Sequence, residues 1–69
     1  MKPSARNQLA GIITEINEGA PIANVALDVN GQRLVASITV KAVRELGLQE
    51  GKRVTAIVKA SDVILATED

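Results

Sequence analysis

Two alternating runs hinged on Asn30-Gly31 constrain this chain more than any other feature. From Ile22 to Val29, the residues Ala23, Val25, Leu27 and Val29 take one face, while Asn24 and Asp28 take the other. Asn and Gly tolerate the left-handed dihedrals that a two-residue hairpin turn requires. Beyond the turn, Leu34, Ala36, Ile38 and Val40 alternate with Arg33, Val35, Ser37 and Thr39. A period of two on both sides of a tight turn specifies two antiparallel strands, each with one apolar face.

The same reading extends in both directions. A first strand is expected from about Gln8 to Ile16, with Leu9 and Ile13 on one face and Ala10, Ile12 and Ile16 on the other. Aliphatics on both faces require two covers, either the domain's own short helix or another subunit. Glu18-Gly19 reads as a turn, and Pro21 sits at the start of the next strand, where a missing N–H is tolerated. Between about Val40 and Leu46 the spacing becomes helical through Val40, Val43 and Leu46. Thr39 is placed to cap that helix, and Gly47 stands where its end favours a left-handed residue. After a turn at Glu50-Gly51, Val54, Ala56 and Val58 alternate with Arg53, Thr55, Ile57 and Lys59. A last strand is expected over roughly Val63 to Ala66. Three strands, a short helix and two more strands is the order of an all-β, OB-fold-like five-stranded barrel, with its helix between strands 3 and 4. Closure into a barrel would also remove exposed sheet edges.

Composition then limits how such a fold can be stable. With 69 residues there is one small domain, and its apolar content leans on ten alanines with no Phe, Tyr or Trp. A core this thin is marginal alone. Cysteine and histidine are both absent, so neither a disulfide nor a Cys/His metal site can staple it. Assembly into a homo-oligomer is the remaining route.

Charge and residue types exclude several functions. Eight basic and eight acidic side chains leave no net charge, which argues against a nucleic-acid or anionic-membrane surface. No run approaches the roughly 20 apolar residues of a membrane span, and no apolar stretch follows Lys2 as a secretory signal would demand. A cytoplasmic location fits the lack of cysteine. Nucleophilic catalysis lacks a histidine base. Carboxylates sit singly, so no catalytic pair and no directly coordinating metal cluster is expected.

What remains is a set of hydrogen-bond donors. On extended chain Ser4 and Arg6 share a face, as do Ser37 and Thr39, and Lys59 and Ser61. Arg supplies a rigid fork of N–H groups, Lys a compact charge, and the hydroxyls rotatable donors. Small neighbours at Ala5, Ala36 and Ala60 leave room for backbone N–H groups to reach a ligand. Such a lining suits a small, fully deprotonated oxyanion. Each of these residues is also ordinary on the wet face of a strand, so the pattern alone cannot name the anion.

The text of the chain carries a more specific signal. Ser4-Ala5-Arg6-Asn7-Gln8-Leu9-Ala10-Gly11 resembles the opening signature of the molybdenum-pterin-binding (Mop) family, the molbindins. The likeness continues through Asn30-Gly31, Ser37-Ile38, Val43-Arg44-Glu45-Leu46-Gly47-Leu48 with Glu50-Gly51, and Ala56-Ile57-Val58-Lys59-Ala60-Ser61-Asp62-Val63-Ile64. It spans essentially the whole chain, as a single Mop (molbindin, TOBE-like) domain over residues 1–69. The resemblance implies an OB-like domain in a homo-oligomer, a hexamer, that binds molybdate or tungstate at subunit interfaces without requiring a pterin. Its role would be intracellular storage and homeostasis of the oxyanion.

Carried over position by position, the resemblance implies that Ser4, Ala5 and Arg6 meet the anion from one subunit, together with Lys59. Asn7 is a secondary candidate. Where several relatives have a hydroxyl residue directly after the lysine, this chain has Ala60, so either its backbone N–H or the side chain of Ser61 serves. Ser37 or Thr39 would come from a neighbouring subunit. Two alternatives stand beside this reading. One is an OB-type nucleic-acid module, which the lack of stacking aromatics disfavours. The other is a ligand-sensing accessory subunit of a molybdate transporter or regulator.

Overall fold

A computed structural model of the chain describes Ser4 and residues 6–68. Four antiparallel strands, β1 (Asn7–Glu18), β2 (Ile22–Val29), β3 (Gln32–Thr39) and β4 (Arg53–Val58), form one sheet in the order β3-β2-β1-β4. A six-residue helix, α1 (Val40–Glu45), joins β3 to β4.

The hairpin forms as its sequence dictates. Asn30 and Gly31 have φ of 50° and 84°, and β2 pairs with β3 from Val29 opposite Gln32 to Ile22 opposite Thr39. The helix is fixed at both ends. Thr39 Oγ1 accepts a hydrogen bond from the Ala42 N–H at 3.0 Å, and the Val40 N–H donates to the Pro21 carbonyl at 2.9 Å. At the other end the Leu48 N–H donates to the Val43 carbonyl and the Gly47 N–H to that of Arg44, a Schellman closure. Lys52 Nζ donates to the carbonyls of Leu46 and Gly47, which takes up further groups of this end.

β1 is the long member, and it serves two neighbours. Its C-terminal half pairs with β2 and its N-terminal half with β4, so that Ile12 is flanked by Asp28 on one side and Arg53 on the other. A bulge at Thr14 lies between the pairs Ile13–Leu27 and Glu15–Ala26. The extra residue reverses the alternation, so Ile13 and Ile16 both reach the core although they are three residues apart. The core itself comprises Ile13, Ala23, Val25, Leu27, Val40 and Val43. Ile12 and Leu9 stay about 40% exposed (43% and 39%), so one chain leaves both faces of β1 partly uncovered.

Among the described residues the sheet has four strands, with β3 and β4 at its edges, and is not closed into the expected five-stranded barrel. Among the described residues no strand is formed at Val63–Ala66, where a fifth was expected; a 3-10 turn at Ala60–Asp62 follows β4. A strand exists only where another backbone completes its hydrogen bonds, and β-propensity in Val63-Ile64-Leu65 does not supply one. Between the two edges lies an apolar groove of ≈ 410 Å3.

Candidate functional site

Two of the three donor segments meet at one end of the sheet. The last rung of the β1–β4 ladder is Asn7 opposite Val58. Arg6 and Lys59 are therefore the first residues beyond the paired strands, and Ser4 and Ser61 follow on the same two segments. All four are exposed. Asn7 itself is half-buried and belongs to the ladder, while Ala5 lies outside the described residues.

One local expectation is corrected. Lys59 and Ser61 do not share the face of an extended strand, because Ala60–Asp62 is a 3-10 turn with Lys59 as its cap residue. The Asp62 N–H donates to the Lys59 carbonyl at 2.9 Å and the Val63 N–H to that of Ala60 at 3.2 Å. The tight turn replaces the alternating geometry. Its first N–H groups, those of Ala60 and Ser61, have no intraturn acceptor.

Electrostatics set this end apart. Arg33 pairs with Glu15 at 3.7 Å, Lys41 with Glu45 at 3.8 Å and Arg44 with Glu18 at 3.5 Å. Lys52 is engaged by two carbonyls. Among the described residues, Arg6, Arg53 and Lys59 are the cations with neither an ion pair nor a side-chain hydrogen bond, and two of these three flank the Asn7–Val58 rung. No group of three acidic residues able to hold a metal cation occurs among the described residues. The arrangement offers donors and unneutralised positive charge, which is what an anion requires.

The third segment lies elsewhere. Ser37 stands opposite Asn24, which stands opposite Asn17 near the far end of β1. Ile38 of β3 and Val58 of β4 line one groove, so the ladder count along β1 does not measure the separation of Ser37 from Lys59. Within the pair, Thr39 already spends an oxygen lone pair as the α1 cap, whereas Ser37 is exposed on edge strand β3 and its side chain makes no hydrogen bond to any described residue. The groove between β3 and β4 was not foreseen from the sequence; its one signal was an apolar Val63-Ile64-Leu65 run following a turn.

Comparison with known proteins gives consistent results. The TOBE domain model matches residues 3–65. The chain is 42% identical over 69 residues to the probable molybdenum-pterin-binding protein of Haemophilus influenzae, covering 99% of this chain and 100% of that one. It is similar in structure to a molybdate binding protein from Sporomusa ovata, with a TM-score of 0.93 and 40% identity over 97% of this chain and 100% of that one. A further similarity is to the cytoplasmic molybdate-binding protein ModG with molybdate bound. There the TM-score is 0.88 and the identity 42%, covering 93% of this chain and 46% of that one.

Proposed function

We propose, given that this chain belongs to the TOBE-domain family, that it binds molybdate or tungstate reversibly, without chemistry, at junctions between copies of a homo-oligomer. Residues 1–69 act as one such domain in a cytoplasmic store of the oxyanion, and the assembly is a hexamer. Its relatives are named as binding proteins, and one of them is described as cytoplasmic and was solved with molybdate bound.

The observation that carries this reading is the convergence of Arg6 and Lys59 at the end of the β1–β4 ladder, without acidic partners among the described residues. Ser4, Ser61 and the N–H groups of Ala5 and Ala60 would add donors to the same cluster. Ser37 of a neighbouring copy would complete it, since its side chain is exposed on edge strand β3 and makes no hydrogen bond to a described residue. Thr39 is the weaker candidate, since its oxygen is held by α1.

The ligand suits this lining. Molybdate at neutral pH is a tetrahedral dianion carrying acceptors only, so every wall group should donate. Hydrogen phosphate brings a proton that a wall of donors cannot accept, and a polar group left unpaired on burial costs about 1–3 kcal/mol. Sulfate has the correct protonation and must be rejected by size. A site built from two copies also links binding to assembly, because a ligand bound only by the oligomer stabilises it.

Calorimetric titration with molybdate, tungstate, sulfate and phosphate tests the proposal. Strong heats for the first two and weak ones for the others are expected. Equal affinity for all four anions would refute it.

A further inference from the structure

We propose that Asn30 is a modification site: the Gly31 backbone nitrogen cyclises onto its side-chain amide, water leaves aspartate or isoaspartate, and Arg53 assists. The reaction needs no enzyme and is separate from the binding of the oxyanion.

The hairpin tip is where the chain exposes this chemistry. Of Asn7, Asn17, Asn24 and Asn30, only Asn30 precedes a glycine. The following residue matters because its Cβ crowds the nitrogen that must attack. Gln8, Glu18 and Val25 carry that Cβ, and the asparagines before them lie within paired strands. Gly31 has none, and an added Cβ would meet nothing within 4 Å, so the tip is open on that side. The ladder closes with Val29 opposite Gln32, leaving Asn30 and Gly31 outside it and exposed. Among the described residues the Gly31 N–H makes no backbone hydrogen bond, so its nitrogen is not held back by an acceptor.

In the first step the Gly31 nitrogen bonds to the Asn30 side-chain carbonyl carbon, and the bond from that carbon to Nδ2 breaks. Nδ2 leaves as ammonia, with the proton that the Gly31 nitrogen gave up. Water then opens the five-membered imide at one of its two carbonyls. Opening at the side-chain carbon restores the main chain and leaves aspartate. Opening at the backbone carbon leaves isoaspartate, with one more methylene in the main chain. No electrons are gained or lost.

Arg53 makes the surroundings favourable. Asn30 lines a surface recess of ≈ 210 Å3 with Asp28, Arg53, Ala10, Gly11 and Ile12. Addition to the amide builds negative charge on its oxygen, and a cation nearby stabilises that charge. Arg53 has no ion pair among the described residues. It also favours the product, since conversion turns a neutral amide into a carboxylate. Asp28 repels that carboxylate, which makes the guanidinium of Arg53 the balancing charge of the recess. The two products differ in consequence. Aspartate preserves the two-residue turn, whereas isoaspartate lengthens it and disturbs the register of β3 on β2.

Ageing the full chain at mildly alkaline pH, followed by peptide mapping with mass spectrometry, tests the site. Asn30 should gain the mass of an amide-to-acid conversion about ten-fold faster than Asn7, Asn17 or Asn24, a barrier difference of about 1.4 kcal/mol. A protein isoaspartyl methyltransferase should label the aged chain and leave an aged Asn30→Ser variant unlabelled. Arg53→Gln should slow the conversion severalfold, and Arg53→Lys, which keeps the charge, should restore it. An Asn30 still intact when a synthetic peptide of residues 26–36 has fully converted would overturn the proposal. So would four asparagines converting at one rate. Conversion of Arg53→Gln at the wild-type rate would overturn the part given to Arg53.

Discussion

Gly11→Ala is the substitution whose consequence follows most directly from the geometry. β1 passes between β2 and β4 at this point, with Gly11 opposite Val54 on one side and buried against β2 on the other. A methyl group there would lie 2.9 Å from the Asp28 carbonyl oxygen and 3.0 Å from Val29 Cγ2. Comfortable contacts between non-bonded carbon atoms fall near 3.5–4.0 Å. The Val29 methyl can turn aside, but the Asp28 carbonyl is backbone of β2, in register with Ile12 and Arg33 on its two neighbours. Making room therefore means parting β1 from β2. Overpacking of this kind costs about 1–3 kcal/mol, and the lower chain freedom of unfolded alanine returns about 0.4–1 kcal/mol. The net loss is about 1–2 kcal/mol, which for a domain of this size lowers Tm by roughly 4–16 °C. Thermal melts by circular dichroism measure it, at one fixed subunit concentration because Tm of an oligomer varies with concentration. An unchanged or raised Tm would refute the close approach of the strands at Gly11.

Five further outcomes are expected. Arg6→Ala should weaken molybdate binding by roughly 10- to 150-fold, since a hydrogen bond to a charged group contributes about 1.5–3 kcal/mol; titration that finds unchanged affinity would place the anion elsewhere. Ser37→Ala should lower anion affinity with little change in Tm. Thr39→Ala should do the reverse, costing about 0.5–2 kcal/mol of stability through loss of the α1 cap, and paired melts and titrations separate the two. Gly31→Ala, at φ of 84°, should cost about 1–2 kcal/mol in a denaturant titration. Breaking the exposed Arg33–Glu15 pair by Arg33→Ala should change stability by less than about 1 kcal/mol.

The sequence made some of this molecule legible because local chemistry decides it. The Asn30-Gly31 hairpin, the Thr39 cap and the Gly47 helix end are set by residues within a few positions of one another. The bulge at Thr14 was not visible, because Ile12-Ile13-Thr14-Glu15-Ile16 reads as an uninterrupted strand and only the partner strand reveals the extra residue. Likewise Val63-Ile64-Leu65 has the character of a strand but forms no ladder among the described residues. The donor residues could be chosen by type, yet their grouping depends on register. That register sets Arg6 and Lys59 just beyond one rung and Ser37 on the other edge strand.

Diffraction at the molybdenum absorption edge, from crystals grown with molybdate, probes the account at its centre. The anomalous peak is expected where copies of the chain adjoin, with anion oxygens about 2.7–3.2 Å from the Arg6 and Lys59 nitrogens of one copy and from Ser37 of another. A peak coordinated by other residues, while Arg6 and Lys59 face open solvent, would contradict it.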